Sequence, residues 1–422
     1  MKIQPTLSPT AAPVPFGGIV SGLAALLCPR SRTEQLKQEL REALQVEHVF
    51  LVSSGKAALA LILLGLQQLS LKRKVVIPAY TCFSVPSAVV KAGLEVALCD
   101  VNPMTLDFDR AQLERVLDDR TLCVLPTHLF GLPAEMEHVR ALCRARGITV
   151  IEDAAQAMGG VSEQRWLGTT GDVGFYSLGR GKNISSGGGG IIVTNSAVVA
   201  QAIQAEYDTL PIESRWSAVK NLLELIATGV LIHPRWYWLP AGLPFLGLGE
   251  TRFYPNFPIE RMAEARAATL SGWRERLEAS NRSRREQASS YLEELHRSGS
   301  EARAVTAREA SYLRLPVLLR DRSAKQAFCG RAIALGLGVS PGYPSTIQHI
   351  PELQGRLAPG EYPGATEVVD RLVTLPTHRF VRPLDRTRIC RVLEEVSLDS
   401  GREVVEDATS AHRSVVRATS GD

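Results

Sequence analysis

A chain of 422 residues, 45% hydrophobic and 22% charged, is long enough for two domains with cores of their own and ordinary for a soluble globular protein. Its formal net charge of +4, with no basic cluster interleaved with aromatics, excludes nucleic acid as a partner. Seven scattered cysteines, never in a CxxC pair, exclude a disulfide framework and a zinc site and point to a reducing, cytoplasmic compartment.

Residues 1–45 read as an N-terminal arm followed by a helix. The stretch from Pro13 to Cys28 is apolar, but Pro13, Pro15, Gly17, Gly18 and Gly22 interrupt it. Only Lys2 precedes it, and Leu26-Leu27-Cys28 lacks the small residue expected before a cleavage site, so it reads as an ordered arm and not a signal. A helix from Thr33 to Leu44 carries Leu36, Leu40 and Leu44 on one face. His48 to Val52 is a strand, Ser53-Ser54-Gly55 a turn, and Lys56 to Leu69 an apolar helix. A turn of small residues opening a helix is an anion site, because free backbone N–H groups and the helix dipole both favour phosphate. Taken alone, Ser53 is as well explained as a plain N-cap.

Val75 to Pro78 is the next strand and runs into Ala79-Tyr80-Thr81-Cys82-Phe83. Then come a strand from Leu94 to Val101, a helix from Leu106 to Leu117, and a strand from Cys123 to Pro126. After Thr127-His128-Leu129-Phe130-Gly131, a helix from Ala134 to Arg146 is stopped by Gly147. Strands alternating with helices imply a mostly parallel sheet with helices on both faces.

The stretch 148–195 carries the chemistry. One apolar run, Ile148 to Ile151, ends in Asp153. Another, Val173 to Tyr176, ends in Ser177, with Lys182 five residues on. Gly187 to Gly190 and a short strand, Ile191 to Thr194, follow. Carboxylate, hydroxyl and amine thus sit at or just beyond strand carboxyl ends, where α/β sheets bind ligands. Pyridoxal-phosphate chemistry uses that trio: an amine for the Schiff base, an acid for the pyridine nitrogen, and hydroxyls for the phosphate. Separately, Asp153 is an ordinary N-cap, Lys182 a solvated lysine and the glycine run a flexible loop. A nucleotide-binding glycine loop fails on order, because these glycines precede a strand and do not open a helix.

In Glu152-Asp153-Ala154-Ala155-Gln156-Ala157, Gly171-Asp172, Ser177 and Lys182-Asn183, the segment resembles the DegT/DnrJ/EryC1/StrS family of sugar aminotransferases. The resemblance covers residues 45–205 well and 256–395 loosely. It implies a fold-type-I pyridoxal-phosphate-dependent transferase of the α/β class with a smaller α/β C-terminal domain. By it, Lys182 holds the cofactor and shuttles the proton, Asp153 pairs with the pyridine nitrogen, and Gln156 lies against the ring. Ser54, Gly55 and Ser177 hold the phosphate, with Lys56 where the family has threonine. It further implies a homodimer, an amino-acid donor (glutamate) and a nucleotide-linked keto-sugar acceptor in polysaccharide or cell-surface glycan synthesis. The chain departs from the pattern at Lys56, at Cys82 in the slot of a stacking aromatic, and at Ile259 in the slot of an asparagine that reaches the neighbouring subunit. Those departures leave a catalytically inactive or regulatory protein as the alternative. His128 matches a family His-x-x-Gly element and is equally well read as a loop histidine satisfied by backbone. Relatives that act as dehydratases carry histidine in place of the lysine, and here Lys182 is present.

The large cofactor-binding domain accordingly runs 46–260, with an insertion at 211–255. In the insertion, Val219 to Ile232 is apolar, and Trp236, Tyr237 and Trp238 follow. It reads first as a helical hairpin packed on the protein surface and second as a peripheral membrane contact through 216–249, since the run is too short to span a bilayer. Residues 261–396 form the small C-terminal domain. There Arg261 to Arg297 is a long helix or a pair with a solvated, charge-balanced face. Strands at Tyr312 to Leu319, Ala334 to Val339 and Val373 to Leu375 and a helix at Asp385 to Val396 follow. The remainder, 397–422, reads as a disordered tail.

Overall fold

The computed structural model describes residues 4–28, 31–243, 247 and 249–397. The stretch read as a disordered tail lies, beyond residue 397, outside the described residues. The arm contains a helix that was not expected there, α1 (Phe16–Leu27), followed by α2 (Arg32–Leu44). Glycines that make a poor helix in isolation are tolerated in α1 because they allow close packing. A methyl group on Gly22 would lie 2.7 Å from Leu222 Cδ2.

Chain order then gives β1 (His48–Val52), α3 (Gly55–Leu69), β2 (Lys74–Pro78), α4 (Ser84–Lys91), β3 (Glu95–Cys99), α5 (Arg110–Val116), β4 (Thr121–Val124), α6 (Met136–Arg144) and β5 (Thr149–Asp153). A small hairpin of β6 (Val161–Ser162) and β7 (Arg165–Trp166) precedes β8 (Val173–Ser177), β9 (Gly190–Thr194) and α7 (Ala197–Thr209). Seven strands form one sheet in the order β1-β9-β8-β5-β4-β2-β3. β9 runs antiparallel to both its neighbours, and the other pairings are parallel.

Alternation along the strands divides the packing. Val75 and Ile77 of β2 join α3 and α4 in one core, while Val76 meets Leu113 of α5 and Val139 and Cys143 of α6 on the other face. Leu36, Leu40 and Leu44 of α2 pack on Val49, Leu51, Ile191 and Val193. Parallel strands buried on both faces are thus covered by helices on both.

The insertion supplies α8 (Arg215–Leu231) and α9 (Trp238–Ala241). After them come α10 (Glu264–Ala268), α11 (Trp273–Ser298), β10 (Arg303–Ala304), β11 (Arg314–Leu318), α12 (Arg322–Ala334), α13 (Pro363–Arg371), β12 (Leu372–Pro376) and α14 (383–397). The last three strands form an antiparallel sheet, β10-β11-β12. Its core is continuous with that of the large sheet through Tyr80, Phe130 and Leu315.

Several expectations are corrected. The helix expected from Leu106 begins at Arg110, because Leu106 takes a left-handed φ of 61° and Asp109 caps the helix by accepting from Gln112 N–H at 2.8 Å. The strand expected at 123–126 lies at Thr121–Val124. No strand forms at 334–339. Ala334 ends α12, and Gly336 and Gly338 adopt φ of 67°, so only Ser340 bridges to Thr374. The arginines of 261–297 are not all solvated, since Arg266 and Arg284 are buried.

Candidate active site

The carboxyl edge of the large sheet gathers the expected residues. Asp153, 5% exposed, ends β5 and accepts from Ala155 N–H at 3.0 Å. Burial pushes its pKa up, against that hydrogen bond and the charge of nearby Lys182. Lys182 follows β8 on a tight loop in which its N–H donates to Gly179 O at 3.3 Å. Burial pushes its amine pKa down; Cys82 and Asp153 oppose the shift, and Arg314 adds to it. A half-buried lysine so shifted is the kind that acts as a nucleophile and base.

Across the edge, α3 begins at Gly55. Ser54 is its N-cap, with Oγ accepting from Ala57 N–H at 3.1 Å. Ser177 Oγ accepts from Gly179 N–H at 3.3 Å. A Cβ on Gly55 would lie 2.8 Å from Ser177 Cβ, so the turn and the end of β8 meet at a position with room only for glycine. Ser53 Oγ and Thr81 Oγ1 are buried without partners among the described residues. Lys56 is half-buried, and its Nζ lies 4.6 Å from the Phe257 ring centroid and 5.2 Å from that of Tyr254. Burial pushes its pKa down, with Cys82 opposing.

Gln156 is held at both ends, with Oε1 accepting from Phe130 N–H at 3.2 Å and Nε2 donating to Tyr343 OH at 2.8 Å. Cys82 lies near Lys56, Lys182 and Tyr343, and its thiol donates to Ser84 Oγ at 3.4 Å. Tyr80 and Phe83 instead belong to the core, where Tyr80 OH accepts from Tyr343 N–H at 3.0 Å.

Other residues have structural explanations. His128 is fully buried; its Nδ1 accepts from Ala134 N–H at 2.9 Å, which leaves Nε2–H to donate to Glu152 Oε1 at 2.7 Å. Glu152 also accepts from the N–H groups of Gly168, Thr170 and Gly171. Burial would raise its pKa, but the His128 pairing and these N–H groups outweigh it and hold the pKa down. The glycine run makes room for a buried network. Arg266 grips Glu213 through Nε at 2.9 Å and Nη2 at 2.7 Å, and donates from Nη1 to Asn221 Oδ1 at 2.9 Å. Asn221 Oδ1 would lie 2.4 Å from a Cβ on Gly187, whose φ is 77°. Met262 N–H donates to Leu51 O at 3.1 Å, and Ser53 N–H to Glu260 O at 2.9 Å, which sets 256–262 beside the Ser53–Lys56 turn. Asn256 is exposed and Ile259 packs on the core.

Two elements remote in sequence complete the site. From α11, Asn281 accepts from Asn183 Nδ2 at 2.8 Å, and Arg284 donates to Lys182 O at 3.4 Å and Leu313 O at 2.8 Å. Tyr343 lies on a loop after α12, its ring 5.3 Å from that of Tyr80. Sequence reasoning missed both, because nothing sets Arg284 apart within its arginine-rich run. A cavity of about 580 Å³ opens beside the lysine loop, lined by the arm residues Ala11 to Pro15 and by Asn183, Ser185 and Arg276.

A model of the DegT/DnrJ/EryC1/StrS aminotransferase family matches residues 27–215 and 256–397. The chain belongs to this family. It is 35% identical over 129 residues to a pleiotropic regulatory protein of Geobacillus stearothermophilus, covering 30% of this chain and 35% of that one. It is 30% identical over 168 residues to GDP-perosamine synthase of Vibrio cholerae, covering 39% and 45%. A UDP-N-acetyl-3-dehydro-alpha-D-glucosamine 3-aminotransferase of Acidithiobacillus ferrooxidans matches at 31% over 190 residues, covering 45% and 51%. These matches span about a third to a half of each relative's length. Helicobacter pylori PseC, an aminotransferase involved in the biosynthesis of pseudoaminic acid, shares the fold with a TM-score of 0.75 at 15% identity, over 93% of this chain and 100% of that one. The sugar aminotransferase CalS13 of Micromonospora echinospora gives 0.73 at 21% identity, over 93% and 100%.

Within this family fold, the residues suit pyridoxal phosphate. A helix N-terminus flanked by Ser54 and Ser177 and by the buried, unpartnered Ser53 hydroxyl suits a phosphate. A buried carboxylate and a half-buried amine of lowered pKa suit a ring nitrogen and an aldehyde carbon. α1 and α8 fall almost wholly outside the family match and pack on one another.

Proposed function

We propose that the chain is a pyridoxal-phosphate-dependent aminotransferase that moves an amino group from an amino acid, glutamate first, to a nucleotide-linked keto-sugar for polysaccharide or cell-surface glycan synthesis. The observation that carries this reading is the half-buried Lys182 amine close to the buried Asp153 carboxylate at the sheet's carboxyl edge. Pyridoxal phosphate bound here would supply an electron sink for the carbon that loses or gains the amino group. Asp153 would keep a proton on the ring nitrogen. Lys182 would hold the cofactor covalently and carry the proton between substrate and cofactor carbons. Ser54, Gly55, Ser177 and the α3 N-terminus would hold the phosphate, with Lys56 adding positive charge nearby. Gln156, fixed by Phe130 and Tyr343, would lie against the ring. Lys182 also argues against the dehydratase reading.

Purified protein should show a visible absorbance band that borohydride abolishes, with the reduced cofactor covalently on the peptide containing Lys182. A colourless protein that takes up no added pyridoxal phosphate would remove this reading. We further infer a cytoplasmic homodimer, as the family resemblance implies, and a peripheral membrane contact through 216–249. Support for the contact is an outward apolar stripe, Trp216, Leu223, Ile226 and Val230 of α8, next to Phe16, Val20, Leu23 and Leu27 of α1. Among the described residues no helix is long and apolar enough to cross a membrane.

A further inference from the structure

Arg314 opens β11, the central strand of the small sheet, close enough to Lys182 for its charge to bear on that amine. Its placement follows from Arg284, whose guanidinium donates to the carbonyls of Leu313, the residue before it, and of Lys182. One buried hub thus fixes Arg314 and Lys182 together. Around the Arg314 side chain stand Tyr80, Tyr237 and Tyr343. Tyr237 comes from the insertion and is half-buried, so that stretch reaches the site as well as the surface. The Arg314 guanidinium makes a long hydrogen bond, Nη1 to Thr374 Oγ1 at 3.5 Å, and no carboxylate among the described residues pairs with it.

A guanidinium stays charged in any protein environment, and holding one half-buried, as Arg314 is, without an anion is costly. The three tyrosines cannot supply the charge, because burial pushes each phenol pKa up and keeps it neutral. The missing anion has to come from a ligand, and it has to sit close to the amine that reacts. In an amino acid the carboxylate is attached to the carbon that bears the reacting nitrogen. In a nucleotide-linked sugar the phosphates are a ring's width from the reacting carbon.

We propose that Arg314 receives the α-carboxylate of the amino-acid donor and so presents the donor's amino group and α-hydrogen to Lys182. The proposal rests on the aminotransferase reading and names the residue that selects its first substrate. A planar fork matches a carboxylate through two parallel hydrogen bonds, which fixes orientation as well as charge.

The donor half-reaction is followed alone, by the spectral change when L-glutamate is mixed with the pyridoxal-phosphate enzyme. The same is done with isoglutamine, whose α-carboxylate is a neutral amide. Wild type should prefer glutamate by about a hundredfold in kcat/KM. Arg314→Gln should lose about that factor for glutamate, change little for isoglutamine, and keep the absorbance band bound to Lys182. Arg314→Lys should recover only part of the loss. Equal losses for both donors, or an Arg314→Gln enzyme at wild-type rate with glutamate, would overturn the proposal. If the variant has the wild-type glutamate rate but loses turnover with an acidic sugar acceptor, the anion belongs to the sugar and the proposal also falls. A wild type with no band falsifies the aminotransferase reading itself, and this assignment with it.

Discussion

Lys182 and Asp153 stand close at the sheet's carboxyl edge, and burial acts on them in opposite senses, lowering the pKa of the amine and raising that of the acid. Replacing Lys182 by Ala should abolish amino-group exchange with glutamate while cofactor affinity, titrated by fluorescence, stays within about tenfold, since the phosphate contacts lie elsewhere. Exchange at a near wild-type rate would show that another amine does the work. Asp153→Asn should cost roughly three orders of magnitude in kcat with a smaller change in binding, because the ring nitrogen loses the anion that keeps it protonated. An unchanged kcat would place that role on a different residue. At this scale the sequence shows what lies at fixed spacing along one segment: Asp153, Ser177 and Lys182. It does not show what converges from elsewhere. Arg284, Arg314 and Tyr343 reach the site only because the small sheet docks there, and each looks ordinary in its own neighbourhood.

Among the elements, the arm and the glycine run have clear energetic consequences. The arm is tied down by His378, whose Nε2–H donates to Ser8 O at 2.8 Å, and burial, the largest cause, lowers the pKa of this histidine from 6.5 to about 3. Folded His378 is therefore neutral at working pH, while the unfolded chain takes up a proton as pH falls through 6.5. Stability should drop across pH 6.5 to 3, and this one group should remove about 2 kcal/mol by pH 5. Denaturant unfolding at pH 7 and pH 5 should show that extra loss in the wild type and not in His378→Gln. Equal losses would mean the histidine is not the sensor. Glu213→Ala should destabilise by about 3–5 kcal/mol, because Arg266 is then buried without its partner. A midpoint unchanged in urea would contradict the network drawn around Gly187. Strands and amphipathic helices were legible from apolar periodicity, as at His48–Val52. Element starts set by a cap were not, as at Asp109, and neither was α1, whose glycines read as breaks until α8 supplies a surface for them.

For the whole molecule, the outward stripe on α1 and α8 is the largest departure from a soluble surface. Trp216 is 76% exposed and Leu223 61%, whereas Ala218, Leu222 and Leu225 of the same helix are buried. The packing reading thus holds for the inner face only. Trp216→Ser with Leu223→Ser should lower partition onto anionic liposomes without changing the sedimentation coefficient of the lipid-free protein. A variant that instead sediments as a monomer would assign the stripe to the subunit interface. The sheet's strand order has a kinetic consequence too. β1 leaves the ribosome before the other strands of its sheet, yet His48 pairs with Thr194 and Val52 with Gly190. Until β9 exists, the earliest strand has no partner in this sheet, and closing so long a loop slows folding. Ser54 and Ser177 therefore come together late, after β5 and β8 have paired. A phosphate ligand should hold that final closure together, so refolding from urea with pyridoxal phosphate present should recover more active protein than adding it afterwards.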